Sequence, residues 1–263
     1  MQSISLSNPI IKEIKSLKKK SYDNLIVLEG LSILALAYTG KIEIITFIYE
    51  DDYPYSNEAL DIIDKYIKKA KNTYTISKKT FQIIKEKDNE VPLIAIVKYY
   101  PINIENINIK NYHYILVLDG IELPGNLGTI YRSAYTSKID LIINVDSTTD
   151  VTKPKFTSSS RGTLFHIDTV NTTYEKAQEL LLKNNYRILL GEPKLGKSYY
   201  RYDYQGNIAL VFGSERFGIN PKWYQNKHEE IYIPMKGEIN SLNVGIAASI
   251  ILAESSNNRN IFN

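Results

Sequence analysis

The sequence predicts an α/β protein in two parts, with a parallel sheet in the second. Two observations carry this. Short apolar runs of four to eight residues alternate with stretches of helical period along almost all of the 263 residues, the pattern of strands and helices packed in layers. Beyond position 112 the apolar runs become nearly continuous, as in strands buried on both faces. In the first part, 25–28, 42–49 and 93–99 read as strands and 10–17, 31–38 and 59–71 as helices. Residues 101–111 carry Ile, Asn, Glu and Lys without a strong period and read as a connection. Strands then follow at 112–119, 139–145, 186–190, 208–212 and 230–233, with helices at 127–136, 174–184 and 244–254. The expected limits are an N-terminal domain over 1–105, a linker over 106–111 and a second domain over 112–263. No internal repeat is visible.

Composition narrows the chemistry. Cys is absent and only three His occur, at His113, His166 and His228. Disulfides, zinc–cysteine sites and thiol nucleophiles are excluded, and a histidine metal cluster is not expected. No apolar run reaches the roughly 18 residues that a membrane span needs. The first twenty residues hold no apolar block of the kind a secretory signal has, so the expected compartment is the cytoplasm. The formal charge of +3 permits an anionic partner without choosing one. Its distribution says more. Only six of the 32 basic residues are Arg, and none precedes Arg132. In a chain rich in Ile, Asn, Tyr and Lys, an Arg is more often present for its forked, planar donors. The cluster that ends in Lys18, Lys19 and Lys20 follows the first predicted helix. It reads either as an RNA contact or as a solvated helix end.

One literal motif misleads. Gly191-Glu-Pro-Lys-Leu-Gly196-Lys197-Ser198 follows a predicted strand and spells a phosphate-binding loop. Such a loop needs a helix to start at its Lys-Ser, because the helix N-terminus holds the phosphates. Here an aromatic, polar stretch with no helical period follows and reaches Gly206. The segment is read as a polar connection between strands.

Three other segments belong together. In the first, a buried strand runs into Pro124-Gly-Asn126-Leu-Gly128 and then a helix bearing Arg132. Asn126 is the expected cap. Arg132, leaning back toward the helix start, is expected to share a crevice with it at the strand's carboxyl end, where open α/β sheets bind ligands. In the second, Phe212-Gly213-Ser-Glu215-Arg216-Phe-Gly218 places two Gly and one acid in a strand-to-loop turn. In the third, a strand ends at Ile233-Pro-Met235, a polar loop follows, and Ser241-Leu242-Asn243 opens an apolar helix containing Ala247.

In this order, the three segments resemble the motifs of the SpoU (TrmH-like) branch of the SPOUT methyltransferases. The resemblance spans about 112 to the C-terminus. It implies a C-terminal trefoil-knotted domain with a parallel sheet, a homodimer, and S-adenosyl-L-methionine as donor for methylating a ribose 2′-oxygen in RNA. Arg132-Ser-Ala, Ser158-Ser-Ser-Arg161-Gly162-Thr and Gly213-Ser-Glu-Arg216 are similar to the thiostrepton- and nosiheptide-resistance enzymes, which act on an adenosine in the GTPase-associated region of large-subunit (23S) ribosomal RNA. Residues 1–105 are similar to the ribosomal-protein-like RNA-binding module of many members, through Ser7-Asn-Pro-Ile-Ile-Lys12 and Leu28-Glu-Gly-Leu31.

The resemblance assigns roles. Arg132 would contact the ribose or phosphate and ease loss of the hydroxyl proton electrostatically, since Arg stays protonated. Asn126 would orient Arg132 or the substrate. Glu215, Ser241 and Asn243 would complete the catalytic group, although the same three residues also fit a purely structural role. Cofactor contacts would come from backbone at Gly213, Ile233 and Leu242, and from apolar contact with Phe212, Met235 and Ala247. Arg161 would face RNA. No metal and no membrane enter the scheme. One departure stands out: many members read Ser-Leu-Asn-Val-Ser, where this chain has Gly245. Alternative readings are another rRNA or tRNA target, and a non-catalytic RNA-binding ribosome-assembly protein.

Overall fold

The computed structural model describes residues 2–86, 89–147, 151–236 and 241–261, with the side chain of residue 201 left aside. Part of the expected polar loop after Pro234, residues 237–240, lies outside the described residues. The chain forms two compact units, one from residues 1–100 and 151–166, the other from 101–150 and 167–263. The first break falls close to the expected one. Residues 151–166, expected in the second domain, cluster instead with the first unit. Local bonds explain this: the Lys41 amide donates to Phe165 O at 2.8 Å, His166 Nε2 donates to Leu36 O at 2.8 Å, and the Phe165 ring meets Tyr99 edge-on at 5.9 Å.

The first unit contains β1 (Gln2–Ser3), α1 (Pro9–Leu17), β2 (Leu25–Glu29), α2 (Leu31–Tyr38), β3 (Glu43–Glu50), α3 (Asn57–Lys69), β4 (Asn72–Ile76), α4 (Lys78–Ile84) and β5 (Leu93–Lys98). Its sheet has the order β1-β4-β3-β5-β2. It is mixed, since β5 runs antiparallel to both β2 and β3 while β3, β4 and β1 are parallel. Helix starts obey side-chain capping: Asn8 accepts from the Ile10 amide before Pro9 opens α1, and Ser56 and Ser77 cap α3 and α4. The apolar face of α1 (Ile11, Ile14, Leu17) packs with Phe81, Ile94 and Ile96 in one core.

Lys18 departs from its expected role. Its ammonium is drawn inward to the Glu29 carboxylate and the Ile84 carbonyl, and its side chain is only 13% exposed. A lone buried carboxylate is costly, so Lys18 is recruited to neutralise Glu29. Lys19 and Lys20 stay exposed. Arg161 lies in this unit too, as the left-handed residue (φ 49°) that ends the short helix α6 (Pro154–Ser160).

The second unit contains β6 (Tyr114–Asp119), α5 (Pro124–Thr136), β7 (Leu141–Val145), β8 (Asp168–Thr172), α7 (Tyr174–Lys183), β9 (Arg187–Glu192), β10 (Lys197–Ser198), β11 (Ile208–Gly213), β12 (Glu229–Tyr232) and α8 (Val244–Asn258). The sheet order is β10-β12-β9-β11-β6-β7-β8, and every pairing is parallel. The core of one face joins Val117, Ile143, Leu190 and Val211 to Ala177 and Leu181 of α7. Strand alternation turns Leu116, Leu118, Ile142 and Leu210 to the other face. Helices α5 and α8 pack on each other, where Ser133 Oγ meets Ser249 Oγ at 2.7 Å. The far end of α8 is fastened as well. Arg259 Nη1 donates to Tyr204 O (2.7 Å) and Gly206 O (2.8 Å), its guanidinium covers the Tyr114 ring at 4.7 Å, and Ser256 Oγ donates to Ser137 O at 2.9 Å. No described helix is long and apolar enough to cross a membrane.

Candidate active site

In an all-parallel sheet the carboxyl ends of neighbouring strands lie along one edge. Here β12, β9 and β11 are adjacent and end at Tyr232, Glu192 and Gly213. A cleft of about 1010 Å³ opens at this edge and is closed by the start of α8. All six residues expected to hold the cofactor line it: Phe212, Gly213, Ile233, Met235, Leu242 and Ala247. So do Glu215, Ser241 and Asn243.

Glycine shapes its floor. A Cβ on Gly213 would lie 2.2 Å from the Gly218 carbonyl carbon, and one on Gly191 would lie 2.7 Å from the Phe212 ring. Residues 213–218 form a tight turn in which the amides of Ser214 and Gly218 each donate to the other's carbonyl, at 3.1 and 2.9 Å. Gly218 takes φ +71° there, a conformation suited to Gly. The Ser214 hydroxyl accepts from the Phe217 amide, and the loop is pinned to β6 where the Asn220 amide donates to Asp119 Oδ2 at 2.7 Å. Asp119 is only 5% exposed, and burial raises its carboxyl above the usual aspartate range.

Three motif residues meet at the mouth. Asn243 caps α8, its Oδ1 accepting from the Gly245 and Ile246 amides at 3.0 and 3.3 Å. Its Nδ2 donates to Glu215 Oε1 at 2.5 Å and to Asn126 Oδ1 at 3.1 Å. Glu215 Oε1 also accepts from the Val244 amide at 3.4 Å, so its negative charge faces the positive end of the helix dipole. Asn126 is therefore not the cap of α5. That helix starts earlier, at Pro124 with Leu123 as N-cap and no side-chain cap bond. Asn126 sits inside the first turn, and its amide group is available to bond across to Asn243.

Arg132 does not join this group. It lies exposed on α5 and does not line the cleft. The reason is helical phase. Six residues separate it from Asn126, so at 3.6 residues per turn the two point in directions about a third of a turn apart. Arg216 lies over the ring of the exposed Phe217 at 4.8 Å. The cleft also takes in Gly191, Glu192, Pro193, Lys194 and Tyr224, residues not singled out as cofactor contacts. The first four belong to the apparent phosphate-loop motif. Its Lys197-Ser198 pair forms the short strand β10, and a 3₁₀ turn at Tyr199–Arg201 follows, with no α-helix at the Lys-Ser pair. Among the described residues no group of three His, Asp or Glu could hold a metal ion.

Comparison with known proteins agrees with this geometry. Residues 113–253, more than half of the chain, match the SpoU rRNA Methylase family. A 23S rRNA (guanosine(2553)-2′-O)-methyltransferase from Bacillus subtilis, RlmP, is 25% identical over 179 residues, 68% of this chain and 70% of that one. Staphylococcus saprophyticus has a TrmH-family relative, 33% identical over 56% of this chain and spanned by it for 59% of its own length, less than two thirds. An AdoMet-bound rRNA methyltransferase from Sinorhizobium meliloti superposes with a TM-score of 0.82 at 26% identity, over 97% of both chains. AviRb, a SpoU methyltransferase of Streptomyces viridochromogenes in complex with AdoMet, shares the fold, with a TM-score of 0.80 over 97% of this chain and 100% of that one, at 21% identity. The three motifs, the cleft they build and these likenesses agree: the chain belongs to the SpoU rRNA methylase family, S-adenosylmethionine-dependent enzymes that methylate RNA.

Proposed function

We propose that this chain methylates a ribose 2′-hydroxyl in large-subunit ribosomal RNA, with the cleft at the ends of β9, β11 and β12 holding S-adenosylmethionine. The observation that carries this is the convergence of Glu215, Asn243 and Asn126 at the mouth of a glycine-floored cleft. The residues fit the cofactor. Gly213 and Gly191 let Gly218 and the Phe212 ring pack closely against the strand ends, so the cleft has a floor of backbone and one aromatic ring. Gly213, Ile233 and Leu242 offer main-chain polar groups, while Phe212, Met235 and Ala247 offer apolar contact. Bound there, the cofactor supplies an electrophilic methyl on a sulfonium.

The chain's own residues do the rest. A ribose hydroxyl is a weak nucleophile and must be placed in line with the methyl. The cofactor would supply the methyl to this oxygen and keep the departing electron pair on sulfur, while the hydroxyl proton would pass to solvent. Asn243, fixed at a helix cap and tied to Glu215, holds the mouth rigid, and Ser241 supports the turn before it. Arg132, on the exposed side of α5, contributes positive charge to the incoming ribose and phosphate and stabilises developing charge on the oxygen. Lys19, Lys20 and Arg161 hold RNA through the first unit, which acts as the RNA-binding module. A homodimer and a C-terminal trefoil knot belong to the same reading and rest on the family likeness.

The resemblance of 132–134, 158–163 and 213–216 to the resistance enzymes favours an adenosine of the GTPase-associated region as target. The likeness to RlmP, which acts on a guanosine of the same ribosomal RNA, favours a second reading with another nucleotide. Primer extension at low dNTP on rRNA from cells expressing the protein decides between them. A new stop at an adenosine of that region, with thiostrepton resistance, is the expected result. A stop elsewhere establishes the second reading, and no new methyl in rRNA overturns both.

A further inference from the structure

The apparent phosphate-loop motif has a use that its residue pattern hides. Its first two residues, Gly191 and Glu192, are the end of β9, the strand between β12 and β11. The register sets Glu192 beside Tyr232, next to the strand end that carries Ile233, with Gly213 on the other side. Glu192 is thus flanked by two of the backbone positions that hold the cofactor in the reading above, on which this inference rests.

Glu192 is half-buried and set on a rigid frame. Gly191 packs directly under the Phe212 ring. Downstream, Gly196 passes so close to β12 that a Cβ would fall 1.9 Å from Glu230 O, and β10 pairs with β12. The strand end is therefore held by neighbours on both sides. One oxygen of the carboxylate is engaged: Tyr224 donates its hydroxyl to Glu192 Oε1. Burial and that carboxylate push the Tyr224 hydroxyl well above its ordinary range, so it remains a donor. Among the described residues no bond is made to Oε2. Glu215, the other acid in the cleft, is already bound by Asn243 and the Val244 amide.

A carboxylate at the carboxyl edge of a parallel sheet suits a vicinal diol, because it accepts from two hydroxyls at once. We propose that Glu192, oriented by Tyr224, accepts hydrogen bonds from the ribose 2′- and 3′-hydroxyls of the bound adenosyl cofactor. In this scheme Glu192 fixes the nucleoside half and the neighbouring backbone fixes the rest. Tyr224 is a positioning residue.

The test is calorimetric titration of the full chain with S-adenosylhomocysteine, its 2′-deoxy and 3′-deoxy analogues, and methylthioadenosine, which keeps the diol but lacks the amino acid. For the wild-type protein each deoxy analogue should bind about tenfold more weakly than S-adenosylhomocysteine, the scale of one hydrogen bond to a charged group. Glu192→Gln should weaken S-adenosylhomocysteine and methylthioadenosine by about tenfold or more, and each deoxy analogue, which keeps one of the two hydroxyls, by clearly less. Tyr224→Phe should show the same pattern with a smaller loss. The far-ultraviolet spectrum and unfolding midpoint of each variant confirm the fold. An equal loss on all four ligands means a structural role and overturns the assignment. A loss on S-adenosylhomocysteine that is absent on methylthioadenosine means the acid holds the cofactor's ammonium, and overturns it too. If the wild-type protein binds none of the four, the proposed function falls as well; if it binds and only the Glu192 pattern fails, that function stands.

Discussion

The two sheets of this protein use their strand ends in opposite ways. In the second unit all strands run parallel, so β12, β9 and β11 bring Ile233, Glu192 and Gly213 to one edge. The result is a cleft whose floor is backbone and whose lip is a small hydrogen-bonded group. In the first unit β5 alone runs against its neighbours, so one reversed strand interrupts each edge of carboxyl or amino ends. Its cavity of about 730 Å³ is lined by charged side chains, among them Glu29, Glu58, Glu86, Glu90 and Arg161. The difference teaches where specificity resides. A backbone-built site depends on a few glycines and caps, whereas a side-chain-built surface depends on charge balance.

Substitutions break this comparison in graded steps. Arg132→Ala should lower methyl transfer to rRNA from labelled cofactor by about 10³-fold, the scale of losing one electrostatic stabiliser, with the fold intact by circular dichroism. Full activity would remove Arg132 from the reaction. Gly213→Ala forces a Cβ to 2.2 Å from the Gly218 carbonyl carbon. It should weaken S-adenosylhomocysteine binding about 100-fold and destabilise by roughly 2 kcal/mol, as overpacking does. Unchanged affinity would mean that the turn does not shape the cleft. Lys18→Met acts in the first unit and leaves Glu29, 6% exposed, without its cation. Urea unfolding should show a loss of roughly 3 kcal/mol, as for breaking a buried ion pair, and the cofactor affinity should be unchanged.

Two smaller effects sharpen the contrast. Burial raises the Asp119 carboxyl above its ordinary 3.8, opposed by the Asn220 amide and helped by the charge of Asp146. The folded protein therefore holds this proton more tightly than the unfolded chain. The associated stability is full below pH 3.8 and is lost as pH climbs through the raised folded value. Asp119→Asn keeps an acceptor for Asn220, so its melting temperature should gain on wild type over that climb. A constant difference would contradict the raised value. Gly245→Ser introduces the residue that the family motif leads one to expect there. Its Cβ meets Asn243 Oδ1 at 3.1 Å, so the capping side chain must yield slightly while the helix gains up to about 1 kcal/mol of propensity. Activity should change by less than about threefold, a shift well under the 1.4 kcal/mol that a factor of ten represents.

Much of this was legible in the sequence, for physical reasons that differ by element. Helix 31–38 coincides with α2, and strands 25–28 and 208–212 lie within one residue of β2 and β11, because apolar periodicity there reports burial directly. Asn243 announced its cap, and the two glycines announced the turn at 213–218. β4 and α4 were missed, since five residues with a polar start and a seven-residue helix give too little period. β8 was missed because it is an edge strand in which Asp168, Asn171 and Thr172 are not buried. α5 starts three residues before its expected position because Pro124 suits the first helical position. Arg132 and Asn126 share a motif but not a helix face, and a linear motif does not show phase. Glu192 and Tyr224 lie 32 residues apart, and only the sheet brings them together. The signal that would have found Glu192 is an acid directly after a buried strand in a parallel α/β unit.

The double fastening of α8 has a consequence for the order in which the enzyme comes into being. Its first turn carries the cap that binds Glu215 and Asn126, and its last residues are bolted to Tyr204, Gly206 and Ser137. These residues leave the ribosome after every described strand has been made. A nascent chain can thus complete its sheet while the mouth of the cleft is still missing. Docking of α8 seals it, so a cofactor held in the cleft as proposed would favour the docked helix by mass action. The cleft is thus completed only after the sheet it rests on, and in the proposed scheme the cofactor is its clasp.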